Sequence, residues 1–124
     1  MRTFFRRGVT AGVLSIGGAM AIAIALTAAQ PAVAAEDGLA IARTNACMGC
    51  HAVDRKLVGP SFQQIAARYK GDPAAQAKLQ GKVRNGGAGV WGAIPMPSHP
   101  AMSDADIRTV VSWVLAGAPS SSSK

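Results

Sequence analysis

The chain has 124 residues, enough for one domain, with 13 Lys/Arg, 6 Asp/Glu and a formal charge of +7. That excess is no nucleic-acid signature. Arg2, Arg6 and Arg7 lie at the very start, residues 36–124 carry only +4, and no basic run is interleaved with aromatics, which make up 5% of the chain.

Residues 1–35 read as a secretory signal peptide. Arg2, Arg6 and Arg7 form the basic start, Val9 to Ala29 is an apolar run, and Ala32-Val33-Ala34-Ala35 offers small residues for cleavage after Ala34 or Ala35. An uncleaved anchor is the competing reading, because the run approaches the ~20 residues a membrane span needs. The small-residue end and the low Leu/Phe content favour cleavage. Phe5-Arg6-Arg7-Gly8-Val9 matches twin-arginine export poorly, so the general secretory route into a periplasm is expected. Removing 35 residues from 124 leaves 89. A domain that small buries only about 60–65% of its unfolded surface.

A helix is expected over Asp37–Ala46, with an acidic start that suits the helix dipole and an apolar face of Leu39, Ile41, Ala42 and Ala46. It would run straight into Cys47-Met48-Gly49-Cys50-His51, a Cys-x-x-Cys-His motif. This spacing is the attachment signature of a c-type haem. Two thiols so placed each add to one vinyl group of a single porphyrin, and the histidine that follows is held beneath the iron as an axial ligand. Gly49 keeps the short turn uncrowded. Cys-x-x-Cys alone also suits a redox dithiol or half of a zinc site. Zinc would need more ligands, and the only other histidine is His99; a thioredoxin-like site would need a βαβ pattern that is not visible. A haem would supply much of the core that so short a chain lacks, and the apo-chain is expected to fold poorly.

Residues 52–59 read as a loop holding Asp54, Arg55 and Lys56, either solvated or forming a basic rim beside the haem edge. Gly59-Pro60 opens a second helix with Phe62, Ile65, Ala66 and Tyr69 on one face, ended by Gly71. Asp72-Pro73 caps and starts a third, with Ala75, Leu79 and Val83 inward, stopped at Asn85-Gly86-Gly87. Residues 86–102 form a Gly/Pro-rich loop whose length implies a task, here to cover the second haem face. Ser103-Asp104-Ala105-Asp106 starts a last helix with Ile107, Val110, Val111, Val114 and Leu115 inward, and Gly117 stops it. Residues 120–124 read as a disordered tail.

With His51 on one side, the iron needs a second axial donor. Met48 lies inside the attachment loop, Met102 reads as core, and His99 competes with Met96. Met96 is preferred because Pro95 and Pro97 fix the backbone on both sides of it. A thioether raises the potential and fills the sixth position, leaving electron transfer rather than catalysis as the expected role.

From Asn45 to Gly117 the chain resembles the small bacterial class I cytochromes c, of the c-551 (c-8) type. The matching stretches are Cys47–Ala52, Leu57-Val58-Gly59-Pro60, Gly89-Val90-Trp91-Gly92, Ile94-Pro95-Met96-Pro97 and Trp113-Val114-Leu115. The resemblance implies an all-α cytochrome c fold over residues 36–119, about four helices wrapped around one covalent haem with the first and last helices crossing. It implies Cys47 and Cys50 as thioether donors and His51 and Met96 as axial ligands. It further implies that the Pro60 carbonyl accepts a hydrogen bond from His51, that Trp91 donates to a haem propionate, and that Lys82 or Arg84 lies near one. His99 stands where relatives often carry an asparagine near the axial sulfur, which would make the potential sensitive to pH. Ala42 stands where relatives carry an aromatic, which predicts a looser crossing with the helix of Trp113.

The expected function is that of a soluble periplasmic monohaem electron carrier and not an enzyme. By resemblance its partners would be a quinol-oxidising complex as donor and a terminal oxidase or nitrite reductase as acceptor, docking briefly; no nucleic acid, no stable membrane insertion after leader removal and a monomeric state are expected. The Arg55/Lys56 rim would speed encounter with acidic surfaces. The alternative is a haem enzyme subunit or gas sensor with an open or labile sixth site.

Overall fold

A computed structural model describes residues 31–120. Residues 1–30 of the expected signal peptide and residues 121–124 of the expected tail lie outside the described residues. Helix α1 spans Pro31–Thr44, α2 Phe62–Arg68, α3 Ala75–Asn85 and α4 Asp104–Leu115, and a single 3-10 turn spans Cys47–Gly49. Among the described residues there is no strand, only isolated bridges between His51 and Lys56 and between Gly87 and Met96. The fold is therefore all-α, as expected.

The first helix reaches further toward the N-terminus than Asp37, because the alanine-rich residues before it have high helix propensity. Its first described turn holds no acidic residue; Glu36 and Asp37 become the helix start once the expected signal peptide is cleaved. The helix does not run into Cys47. It ends at Thr44, and Ala46 takes a left-handed conformation (φ 58°) that breaks the helix before the 3-10 turn.

Helix α4 is the hub, and each of the other three helices packs against it. Ser103 caps it by accepting from the Asp106 N–H at 3.0 Å. Ile107, Val110, Val111, Trp113 and Val114 are its buried face, each aliphatic contributing about 1.5–3 kcal/mol by leaving water. The crossing of α1 with α4 is close, not loose. Ala42 is fully buried, and Gly38, one turn earlier, lies so near Trp113 that a Cβ there would fall 2.2 Å from the Trp113 Cβ. The missing side chain on α1 is thus replaced by the indole of α4. The Trp113 Nε1–H donates to the Pro119 carbonyl at 3.0 Å, and Ala118 is fully buried beneath the returning chain.

Helix α2 begins at Phe62, two residues after Pro60, because Ser61 forms a full capping box with Gln64. Ser61 Oγ accepts from the Gln64 N–H at 3.0 Å, and Gln64 Oε1 accepts from the Ser61 N–H at 2.9 Å. Before α3, Asp72 Oδ1 accepts from the Ala74 N–H at 2.8 Å, and Asp72 Oδ2 pairs with Lys78 at 2.8 Å. Ala75 and Leu79 face inward as expected, and Val83 packs partly buried against the core.

Candidate haem-binding site

The loop between the attachment motif and α2 is short and closes on itself. The Gly59 N–H donates to the Cys50 carbonyl at 2.8 Å, and the Phe62 N–H to the Ala52 carbonyl at 2.9 Å. This places Pro60 against His51. The His51 Nδ1–H donates to the Pro60 carbonyl at 2.6 Å. Since a carbonyl only accepts, the neutral ring must carry its proton on Nδ1, which leaves the lone pair on Nε2. Phe62 stacks on the imidazole with centroids 5.3 Å apart and meets Trp113 edge-on at 5.0 Å. Three rings thus link the motif to the hub helix. Gly59 completes the seat, for a Cβ there would lie 2.6 Å from His51 Cε1.

Residues 86–102, expected as a structureless loop, are a hairpin-like segment. Gly87 and Met96 exchange two backbone hydrogen bonds at 3.0 and 3.1 Å, and the Gly89 N–H donates to the Gly92 carbonyl at 2.8 Å. Gly86 makes the close approach possible. Its φ of 69° with ψ −151° is essentially glycine-only backbone, and a Cβ would fall 2.4 Å from the Met96 carbonyl oxygen.

Between these segments and α4 lies a cavity of about 580 Å³, lined mostly by apolar side chains. Cys47, Cys50, His51 and Met96 all line it, together with Pro60, Trp91, Leu79, Val110, Val111 and Val114. Of the four candidate second ligands, Met96 and His99 line the cavity. Met102 is buried in the core cluster, and Met48 packs against that cluster. Two thiols, an imidazole with one nitrogen engaged, and a thioether in an apolar cavity of this size are a donor set that fits a c-type haem.

The same geometry disfavours the other readings of the cysteines. Burial pushes the Cys47 thiol up; a backbone hydrogen bond lowers it, and the neighbouring Cys50 raises it again. A reactive dithiol needs the opposite shift. Among the described residues no cluster of His, Cys, Asp and Glu is arranged to hold a metal ion by itself.

The basic residues divide. Lys56 and Lys82 line the cavity, while Arg55 is exposed and 3.6 Å from Asp54, a weak surface pair. Arg84, expected near a propionate or in solvent, does not line the cavity and is engaged by the chain's own carbonyls. Its Nη1 donates to the carbonyls of Met102 (2.7 Å) and Pro100 (2.8 Å), and less closely to that of His99 (3.4 Å). Its Nη2 pairs with Asp104. Trp91 is 41% exposed at the cavity mouth, with the Arg68 guanidinium 5.0 Å over its ring. Gly59, Gly86 and Gly38 were not singled out as contacts by sequence reasoning. Their signal is only that a glycine stands beside the motif, beside the ligand loop, and inside a helix.

The chain matches the family model described as Cytochrome c over residues 35–118. It is 42% identical over 92 residues to cytochrome c-551 of Allochromatium vinosum, covering 74% of this chain and 98% of that protein. It is 45% identical over 80 residues to cytochrome c-551 of Azotobacter vinelandii, covering 64% of this chain and 96% of that protein. The fold is similar to the crystal structure of Nitrosomonas europaea cytochrome c552, with a TM-score of 0.62, 42% identity, 64% of this chain covered and 98% of that one.

Proposed function

This chain belongs to the cytochrome c family and carries one covalently bound haem c, and we propose that it is a soluble periplasmic electron carrier with His51 and Met96 as axial ligands. The observation that supports this most is that both cysteines, His51 and Met96 line one apolar cavity. The haem, when bound, supplies a one-electron Fe(III)/Fe(II) couple.

The protein's own residues do the rest. Cys47 and Cys50 fix the porphyrin edge through thioether bonds. His51 presents Nε2 while Pro60 holds its Nδ1 proton, which orients the ring and strengthens it as a donor. Met96, braced by Pro95 and Pro97 and by the Gly87 bridge, would hold the iron from the other side of the cavity and keep small molecules out. Trp91 gives its indole N–H to a propionate at the cavity mouth. The apolar walls exclude water, which favours the reduced, less charged iron.

Val58, Val90, Trp91 and Ile94 are exposed hydrophobics that also line the cavity, with Lys56 and Lys82 beside them. Such a rim suits brief docking to redox proteins through small interfaces. A quinol-oxidising donor and a terminal oxidase or nitrite reductase as acceptor are the proposed partners. The leader, residues 1–35, directs export and is removed, and residues 36–119 form the working domain. No helix among the described residues is long and apolar enough to cross a membrane.

The test is carbon monoxide binding to the reduced haem protein. The native protein should remain unreactive, and Met96→Ala should bind the gas at once and lose its high potential. Rapid binding by the native protein would instead favour an enzyme or gas sensor with an open site.

A further inference from the structure

The loop from Met96 to Met102 contains Pro97 and Pro100, which have no N–H to donate. It is tied by backbone at two points, one in α3 and one just beyond its end. Met96 is bridged to Gly87, and the His99 N–H donates to the Val83 carbonyl at 3.0 Å. Beyond His99 the backbone supplies little. Among the described residues no backbone N–H is paired with the carbonyls of Pro100 or Met102. Both are taken by one side chain, Arg84, from the last turn of α3. The same guanidinium pairs with Asp104 in the first turn of α4. One planar fork therefore joins the ligand loop, the end of α3 and the start of α4.

We propose that Arg84 is a positioning residue that keeps the Met96 loop closed over the haem, and so sets how often the sulfur leaves the iron. This rests on the reading of Met96 as the sixth ligand. Charge-assisted hydrogen bonds to carbonyls with no other backbone partner are among the stronger loop contacts, and the part-buried Met102 carbonyl loses its acceptor partner when the fork is removed, whereas the exposed Pro100 carbonyl turns to water. Lysine replaces the fork poorly, because its ammonium is a point donor on a flexible stem. The loop fluctuates open around its two backbone ties when Arg84 is removed. A small ligand then competes for the iron in proportion to the open fraction.

The measurement is imidazole titration of the ferric haem protein, followed by loss of the weak red band of the Met–Fe(III) bond, alongside denaturant unfolding of each variant. Arg84→Gln should bind imidazole at least about tenfold more tightly than the native protein. Arg84→Lys should fall between the two, and it carries the test alone if Arg84→Gln does not take up haem. Asp72→Asn, which removes the ion pair with Lys78 at the far end of α3 and keeps an oxygen to accept from the Ala74 N–H, should bind imidazole as the native protein does. The proposal is overturned if neither Arg84 variant tightens binding. It is overturned equally if Asp72→Asn tightens binding as much at a comparable loss of stability, since the effect would then be general loosening. Met96→Ala sets the fully open limit. A native protein already at that limit would sink the ligand assignment and the clamp together, whereas a closed native protein with closed Arg84 variants sinks the clamp alone.

Discussion

The His51 ring and Gly59 are in contact so close that the glycine's hydrogen is part of the seat. A Cβ at position 59 would lie 2.6 Å from Cε1 and 3.0 Å from Nδ1 of the imidazole. The ring has no room to retreat, because Phe62 stacks against it.

Gly59→Ala should therefore turn the imidazole away from the Pro60 carbonyl. Weakening that bond reduces the donor strength of the ligating nitrogen and raises the midpoint potential by roughly 30–60 mV, where about 59 mV is tenfold in a one-electron constant. Overpacking should also cost about 1–3 kcal/mol of stability. Voltammetry and denaturant unfolding of the haem protein read the two effects separately. An unchanged potential would mean that the Pro60 contact does not tune the iron.

Gly38→Ala acts at the opposite side of the hub helix. Its Cβ would overlap Trp113 backbone-proximal atoms, which cannot swing aside as a flexible tip can. The expected loss is about 3 kcal/mol or more, large for a domain of this size. The potential should stay near that of the native protein, since neither residue lines the cavity. Equal stability in the two proteins would show that α1 can slide without penalty.

The Asp72–Lys78 pair gives a pH-dependent contribution. The Lys78 hydrogen bond, followed by that of the Ala74 N–H, holds the Asp72 carboxyl below its ordinary value, and Asp72 raises Lys78 above its own. A depressed carboxyl contributes stability above its unfolded pKa and loses it as the pH falls through the lower folded value. A raised lysine contributes below its unfolded pKa and loses it as the pH rises through the higher folded value. Asp72→Asn should thus be less stable than the native protein near neutral pH, with the gap closing below about pH 4 and above about pH 10.5. Unfolding midpoints at three pH values check this. A gap that stays constant down to pH 2 would show that the charge of Asp72 does not carry the effect, since asparagine keeps an oxygen to accept from the Ala74 N–H.

Much of this molecule could be read from its residues before its shape was known. The Cys47–His51 spacing and the apolar period of α4 depend on local chemistry, which sequence carries directly. The end of α1 was misjudged because apolar periodicity through Ala46 does not reveal a left-handed residue. Residues 86–102 looked structureless because a Gly/Pro-rich composition hides the pairing of Gly87 with Met96, a contact between segments. Position alone marks Arg84 as a haem neighbour or a solvated side chain. Its carbonyl partners come from residues 15 to 18 positions later, and no local rule points to them. The crossing at Ala42 was judged by that residue alone, when the volume balance was set by Gly38 and Trp113 together.

The clasp between Gly38 and Trp113 joins the first described helix to the last. A chain emerging from its N-terminal end cannot form it until nearly the whole sequence is available, and the loop to be closed is almost as long as the domain. Until that moment the two thiols next to α1 belong to an open chain. The helix made last is thus the one that seals the globule, and a chain cut short before α4 is expected to stay open.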